Sequence, residues 1–327
     1  MILPEQLYSS KITMKPAHYY TLPHSVIFRA EGKDVTRYLH ARLTNAIKGL
    51  PIGFSCRAAA LTPQGKTEGL FTCLHTAETE YLLQCDGGDA ELLRAALCRY
   101  IVADRVTIEP FLEDVIVVHI SADAREKLCK EAQIDVPSGQ CLVPHQMPKN
   151  PLGIEAIIPA SRLGYPGFDI WVKSAECYLS LIKAALGDCK ELDSTEFEVI
   201  RLTQGSPMFP AEINQEHLLT EAPVGTAIAR NKGCYVGQEV VERIESRGAT
   251  PRLLARFFCK DGPLLPEGAP IFLKHSDGSN ERIGEVYSSA LSDDGIVGFA
   301  SIRRQAEPGY SIYLNDCEGR FTWVSED

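Results

Sequence analysis

The sequence predicts an α+β protein whose last quarter folds as a small antiparallel β-barrel or sandwich. Before residue 250, segments with the apolar spacing of helices alternate with short apolar runs typical of strands. After Pro251, short strand-like runs follow one another between turns rich in glycine and proline, and helical spacing is absent. The length of 327 residues allows two or three domains with substantial cores.

The N-terminal third is predicted to begin with a helix that Asp34 caps and that carries Val35 and Leu39 on one face. A hairpin follows, because Pro63 and Gly65 lie in a short polar link between two apolar runs. The other elements predicted up to residue 151 are strands at 57–61, 67–74, 80–85, 106–108 and 115–120, helices after Asp89 and at 122–132, and a loop over 136–151.

The middle of the chain is predicted to contain a strand at 168–172, a helix at 175–186 and a second helix that ends at Gly205. Asp193 and Glu196 have the spacing of a helix cap and its partner, and they place the start of that second helix. The six strands predicted in the C-terminal segment lie at 253–258, 270–272, 281–288, 296–301, 311–314 and 321–324.

Composition narrows the class of protein. The net charge of −10 argues against a general binder of nucleic acid or of membrane surfaces, because phosphate groups need a basic face. No run of apolar residues has the length of a membrane helix, and the N-terminus lacks the pattern of a secretory signal. The 11 cysteines are odd in number and form no CxxC, which predicts reduced thiols, a cytoplasmic location and no metal site built from local motifs.

The most informative motif is KGCYVGQE at residues 232–239, which leads into an apolar spacing typical of a helix. Cys234 is predicted to lie on a glycine-flanked loop at the positive end of that helix, with Lys232 nearby, and both features favour the reactive thiolate. A packed structural thiol is the alternative. Gly233 and Gly237 favour a functional site, because glycines permit positive φ or the close approach of a ligand.

The string KGCYVGQE resembles the signature of YgfZ-type folate-dependent proteins, which are relatives of the glycine-cleavage T-protein (aminomethyltransferase). Segments at 38–45, 61–66, 201–212 and 284–300 are similar, in the same order, to segments of that superfamily. The resemblance implies three domains around a central folate pocket. They are a discontinuous folate-binding domain at 1–50 and 140–250, an inserted α+β domain at 51–139, and a C-terminal antiparallel β-barrel at 251–327.

The resemblance also implies a function: maturation or repair of iron–sulfur enzymes, and thereby tRNA modification, through the thiol of Cys234. The implied ligand is tetrahydrofolate or a one-carbon derivative. The implied partners are iron–sulfur client enzymes or assembly proteins, with no direct contact to nucleic acid or membrane. The site residues it implies are Cys234 and Lys232 for the chemistry, and Glu212, Phe209, Tyr235, Gln238, Glu239 and Arg247 for the folate.

Several of these side chains also have a purely structural interpretation. Tyr235 is as well suited to packing as to stacking on a ligand, and Glu239 is favoured by the helix dipole alone. Glu212 is similar in position to the carboxylate that holds the pterin ring in T-proteins, and one carboxylate accepts both an N–H and an amino group. Arg247 is suited to a folate glutamate tail or to a solvated helix face.

Two alternatives stay open. One is a tetrahydrofolate-dependent aminomethyltransferase or demethylase similar to the T-protein. The chain departs from T-proteins at Cys85 and Asp86, where they carry Asn-Ala before a catalytic aspartate, and at Ala46, where they often carry aspartate. The other alternative is a folate-sensing adaptor in which Cys234 is structural. Whether the protein is an enzyme is therefore left open, and an assembly or repair factor is favoured.

Overall fold

The computed structural model describes residues 17–111, 115–132, 141, 152–173, 176–248, 250–275, 277–308, 310–314 and 317–325. Apart from Cys141, the loop predicted over 136–151 lies outside these residues. The helices are α1 Val35–Arg42, α2 Ala90–Cys98, α3 Ala122–Ala132, α4 Glu176–Leu186, α5 Ser194–Gln204 and α6 Gln238–Arg247. The strands before the C-terminal segment are β1 His18–Leu22, β2 Val26–Glu31, β3 Ser55–Leu61, β4 Thr67–Ala77, β5 Glu80–Cys85, β6 Thr107–Pro110, β7 Val115–Ser121, β8 Ile154–Ala160, β9 Gly167–Lys173 and β10 Lys190–Glu191.

Two five-stranded sheets form the N-terminal part of the protein. The first sheet has the order β10-β1-β7-β9-β8, and the second has the order β3-β4-β5-β2-β6. The sequence patterns do not predict β1, β2, β8 or β10. In β8 the first five residues are all buried, so the strand lacks the alternation of apolar and polar residues that identifies a half-exposed strand.

The strand pairing groups the chain differently from the predicted domain ranges. β2 lies in the predicted first range, yet it pairs with β5 and β6 of the predicted inserted range. β7 also lies in the inserted range, but it pairs with β1 and β9. Each sheet therefore takes strands from both predicted ranges, because strand partners depend on contacts between distant segments. The division into domains stays a prediction.

The two sheets pack as inner layers between two outer layers of helices. Leu128 of α3 and Ile182 of α4 cover the outer face of the first sheet. Between the sheets, Trp171 of the first lies in the same apolar core as Leu82 of the second. Helices α1 and α2 cover the far face of the second sheet, where Tyr235 of the motif also packs. No helix among the described residues has the length and apolar character needed to span a bilayer.

The C-terminal segment is a closed antiparallel barrel, which decides between the two architectures that the sequence allowed. Its strands are β11 Arg252–Cys259, β12 Pro270–Lys274, β13 Asn280–Ser292, β14 Gly295–Arg303, β15 Ile312–Leu314 and β16 Cys317–Trp323. They close in the order β11-β14-β13-β12-β15-β16, and β16 pairs with β11. A second core joins the barrel to α5 through Leu202 and Phe299. The α+β fold class and the antiparallel barrel are thus confirmed.

Candidate functional site

The motif forms a loop that ends at the first residue of α6. Gly237 immediately precedes that helix with φ of 84°, in the left-handed region that favours glycine. A Cβ atom at Gly237 would lie 2.7 Å from the carbonyl oxygen of Thr62, in the turn after β3. Glycine is therefore required at 237 by both conformation and space. At Gly233 a Cβ atom would meet nothing within 4 Å, so the fold leaves open space beside that residue.

Cys234 lies between these two glycines and is exposed. Among the cysteines whose side chains the structure describes, which excludes Cys177, it alone falls in the exposed class. The thiol is thus presented to solvent from a loop whose two flanks are held by the fold. Exposure is the property that separates a reactive cysteine from one that serves as a small core residue.

Lys232 ties the motif loop to the C-terminal end of α1. Its ammonium group donates hydrogen bonds to the carbonyl oxygens of His40 at 2.5 Å, Leu43 at 2.5 Å and Asn45 at 2.7 Å. These carbonyls lie at and just beyond the C-terminal end of α1, where a positive charge is favoured by the helix dipole. Burial lowers the pKa of Lys232 to about 8. All three donors of the ammonium group are engaged, so Lys232 can contact a ligand only if one of these bonds breaks.

Replacing Lys232 should therefore loosen the motif. We expect Lys232→Met to lower the free energy of unfolding by about 1–3 kcal/mol, because it leaves carbonyl groups without a donor. Hydrogen exchange at residues 233–237 should become faster, and urea denaturation measures the stability. The control is Lys48→Met, since Lys48 is exposed and its expected effect is within about 0.5 kcal/mol. Equal effects of the two substitutions would contradict the anchoring role.

The other motif residues mostly face the protein. Tyr235 is 8% exposed and belongs to the core beneath the second sheet, and burial raises its pKa to about 12. Gln238 accepts a hydrogen bond from the backbone N–H of Tyr235 at 3.3 Å and donates one to Glu242 at 2.5 Å. Glu239 is exposed in the first turn of α6. The side chain of Arg247 lies outside the described residues, so its predicted role has no structural account.

Glu212 is buried and fully engaged by the protein. One carboxylate oxygen accepts from Arg201 at 2.8 Å and from the backbone N–H of Met208 at 2.9 Å. The other accepts from Arg201 at 2.9 Å and from the hydroxyl of Ser288 in the barrel. A carboxylate has about four acceptor sites, and four donors occupy them here. Glu212 therefore joins three segments of the fold and has no free acceptor for a pterin.

Phe209 lines a cavity of about 300 Å³ beside the start of α2. The ring itself is 4% exposed, and a Cβ atom at Gly88 would lie 3.2 Å from it. The polar side chains around this cavity include Asp89, Asn214 and Glu216. The volume is at the lower end of the range for small-molecule sites. Phe209, which the resemblance implies as a folate contact, thus lines a cavity, but little of its ring is exposed.

The structure reveals a polar row that the sequence analysis missed. Arg57, Thr72 and Gln84 are paired side by side across β3, β4 and β5, so they share the face that looks towards the first sheet. Arg57 is exposed, and among the described residues no hydrogen bond or ion pair engages its guanidinium group. Gln84 is 1% exposed, and its side-chain oxygen is buried without a donor in the described part of the chain. The row therefore offers an unused cationic donor and an unused acceptor.

A buried charge network adjoins this row. Arg162 donates to Asp86 at 2.6 Å and to Asp169 at 2.6 Å, and Asp169 also pairs with His119 at 3.0 Å. Burial opposes ionisation of Asp169, but Arg162 and His119 outweigh it and lower the pKa of Asp169 to about 2. The amide nitrogen of Gln84 donates to Asp86 at 3.3 Å, which links the row to the network. This ion pairing fixes Asp86 as a structural partner of Arg162.

No short sequence motif marks this row. Its three residues are 15 and 12 positions apart and come together only because β3, β4 and β5 are neighbours in register. A buried glutamine on an otherwise apolar strand, in the run Tyr81-Leu82-Leu83-Gln84, was the one available signal. Buried amides are normally paired, so such a residue points to a partner from elsewhere.

Comparison with known proteins agrees with this architecture. A "tRNA-modifying protein YgfZ" of Yersinia pestis (strain Pestoides F) is 25% identical over 270 residues, which cover 81% of this chain and 78% of the relative. The chloroplastic "Putative transferase At1g60990" of Arabidopsis thaliana is 25% identical over 295 residues, or 87% of this chain. The chain spans 65% of that relative's length. No family model matches the chain.

Among solved structures, the glycine cleavage system aminomethyltransferase T from Bartonella henselae is similar with a TM-score of 0.78. The match has 18% sequence identity and covers 95% of this chain and 85% of that one. At this identity the likeness concerns the fold. Together with the relatives named YgfZ, it confirms the resemblance that the motif predicted.

Proposed function

From the premise that the chain is a YgfZ-type member of the glycine-cleavage T-protein superfamily, we propose that it binds a reduced folate and acts through Cys234. Its role would be the maturation or repair of iron–sulfur enzymes, including enzymes that modify tRNA. The observation that carries the proposal is the presentation of Cys234. It is an exposed thiol on a loop fixed by Lys232 on one side and by Gly237 on the other.

Cys234 differs from the cysteines that only pack. Those are buried among apolar side chains, as Cys85 and Cys259 are. Cys234 is exposed, although Tyr235, the next residue of the loop, is buried. Such an arrangement suits a thiol that must meet another macromolecule, because the client reaches the sulfur without opening the fold.

Folate fits the polar row better than it fits Glu212. The pyrimidinone edge of a pterin presents a carbonyl oxygen beside an N–H and an amino group. In the described structure, Arg57 has a free donor and Gln84 a free acceptor, which match these groups in kind. We assign these two residues, with Thr72 between them, to hold the folate. When bound, a reduced folate supplies a carrier for one-carbon units.

The test is a rescue assay in a strain that lacks the corresponding family protein. The activity of an iron–sulfur-dependent tRNA-modifying enzyme is measured after supplying the wild type, Cys234→Ser or Cys98→Ser. Cys98→Ser is the matched control, because Cys98 is half-buried at the end of α2 and far along the chain from the motif. Rescue by the wild type and the control, with loss of rescue by Cys234→Ser, is expected. Full rescue by Cys234→Ser would contradict a function based on the thiol and would favour a folate-sensing adaptor.

The transferase alternative is distinguished by turnover. It needs a carboxylate free to act at the folate nitrogens, whereas Asp86 is held by Arg162. The transferase alternative would be established if the purified protein transferred a one-carbon unit from an aminomethyl donor to tetrahydrofolate. If neither the wild type nor the variants restore the tRNA-modifying activity in the rescue assay, the transferase alternative is favoured.

A further inference from the structure

Two cysteines lie directly opposite each other on the core side of the motif. Cys56 of β3 and Cys73 of β4 are register partners in an antiparallel pair, and each thiol shifts the pKa of the other. Opposed residues in antiparallel strands have Cα atoms about 4.5 or 5.5 Å apart, and both separations fall within the range that a disulfide requires. The strands can therefore be bridged without moving the backbone to a new register.

We propose that Cys56 and Cys73 form a redox-active dithiol that closes to a cross-strand disulfide when a peroxide reaches it. Cys73 is completely buried, whereas Cys56 is half-buried, so Cys56 is the more accessible residue of the pair. Both thiols are close enough to Lys232 to feel its charge. Lys232 therefore lies near the dithiol, and the same lysine holds the loop that carries Cys234.

The two thiols are not equivalent, and this assigns their roles. The hydrogen bond from the Cys73 thiol, together with the nearby charge of Lys232, lowers the pKa of Cys56 against the opposing effect of burial. The same hydrogen bond and complete burial raise the pKa of Cys73. Cys56 is therefore the thiol that reaches the thiolate form first and attacks, and Cys73 is the thiol that resolves the product.

The reaction balances with hydrogen peroxide as the oxidant. The Cys56 thiolate attacks one peroxide oxygen, the O–O bond breaks, and the departing hydroxide takes up the thiol proton to give water. The sulfur is then a sulfenic acid. The Cys73 sulfur attacks it, the S–S bond forms as the S–O bond breaks, and the hydroxyl leaves with the Cys73 proton as a second water. The dithiol loses two electrons and two protons.

The experiment uses the full chain with Cys234→Ser, so that the exposed thiol takes no part. After treatment with hydrogen peroxide and alkylation of the remaining thiols, trypsin should release residues 49–57 joined to residues 67–94. The joined peptide should have lost two hydrogen atoms, fragmentation should locate the link at Cys73 rather than Cys85, and dithiothreitol should separate it. Recovery of both cysteines fully alkylated after oxidation would overturn the proposal.

Two variants test the roles of the two thiols, and a third is the control. Cys56→Ala should protect Cys73 from oxidation, because the attacking thiol is gone. Cys73→Ala should leave Cys56 as a sulfenic acid, which a dimedone probe detects by mass. Cys98→Ala should behave as the wild type, since Cys98 has no cysteine opposite it. A peptide linked at residues other than 56 and 73 as the main product would also overturn the assignment.

Discussion

The substitution Glu212→Gln is expected to lower the free energy of unfolding by about 3 kcal/mol, because it removes the buried one of the two carboxylates that pair with the buried Arg201. Arg201 is 2% exposed, and burial would lower its pKa, but Glu212 and Glu198 outweigh that effect and raise it. Arg201 stays charged in the variant, because a guanidinium group does not deprotonate in proteins and Glu198 still pairs with it. Whichever way the glutamine amide turns, its NH₂ group would face an N–H of Arg201, and in one orientation it would also face the backbone N–H of Met208.

Urea denaturation followed by circular dichroism measures this loss. The matched control is Glu216→Gln, because Glu216 is exposed in the same loop and its carboxylate has no ion pair in the described structure. Its expected effect is within about 0.5 kcal/mol. An unfolding curve of Glu212→Gln that coincides with the wild type would contradict the structural role of Glu212.

The same comparison separates two locations for the folate. Binding of a stable reduced folate, measured by titration calorimetry, should weaken in Arg57→Gln under conditions where the variant is still folded, because the free guanidinium donor is gone. If Glu212 rather than Arg57 held the pterin, Glu212→Gln would lose folate binding at urea concentrations where it is still folded, and Arg57→Gln would bind normally.

Local signals in the sequence predicted most of the local structure, although Asp34 precedes α1 without capping it, because its carboxylate accepts from the backbone N–H of Arg105 instead. The cap at Asp89 and the capping box of Asp193 with Glu196 are both present, since each depends on residues within one turn of helix. The antiparallel barrel was predicted because its strands follow one another along the chain. In contrast, the partners of β2 are 50 to 80 residues away, and no pattern within β2 specifies them.

The site divides in the same way. The left-handed Gly237 is a property of the motif itself and is consistent with the glycines at its ends, whereas the exposure of Cys234 is known only from the structure. The partners of Lys232 lie about 190 positions earlier in the chain, at the end of α1. The Arg57–Gln84 row and the Cys56–Cys73 pair depend on strand register, which a single sequence does not specify when both faces of the sheet are covered.

Gly237→Ala is expected to destabilise the protein by about 2–3 kcal/mol, because alanine is strained at a φ of 84°. The new methyl group would also lie 2.7 Å from the backbone oxygen of Thr62, which cannot rotate away as a side chain could. The strain falls on the residue immediately before α6, so the loop that carries Cys234 should move with it. Thiol labelling of Cys234 by a bulky maleimide reports that movement, and urea denaturation measures the stability.

Gly233→Ala is the matched control within the same motif. Its φ is not in the left-handed region, and a Cβ atom there meets nothing within 4 Å, so the expected change in stability is within about 0.5 kcal/mol. In the rescue assay the two variants separate the roles of the glycines. If Gly233→Ala is stable but fails to rescue, the open space beside Cys234 is occupied by a client or ligand during function. If Gly233→Ala rescues fully, that space serves no function, and only Gly237, which the fold itself requires, is needed to present the thiol.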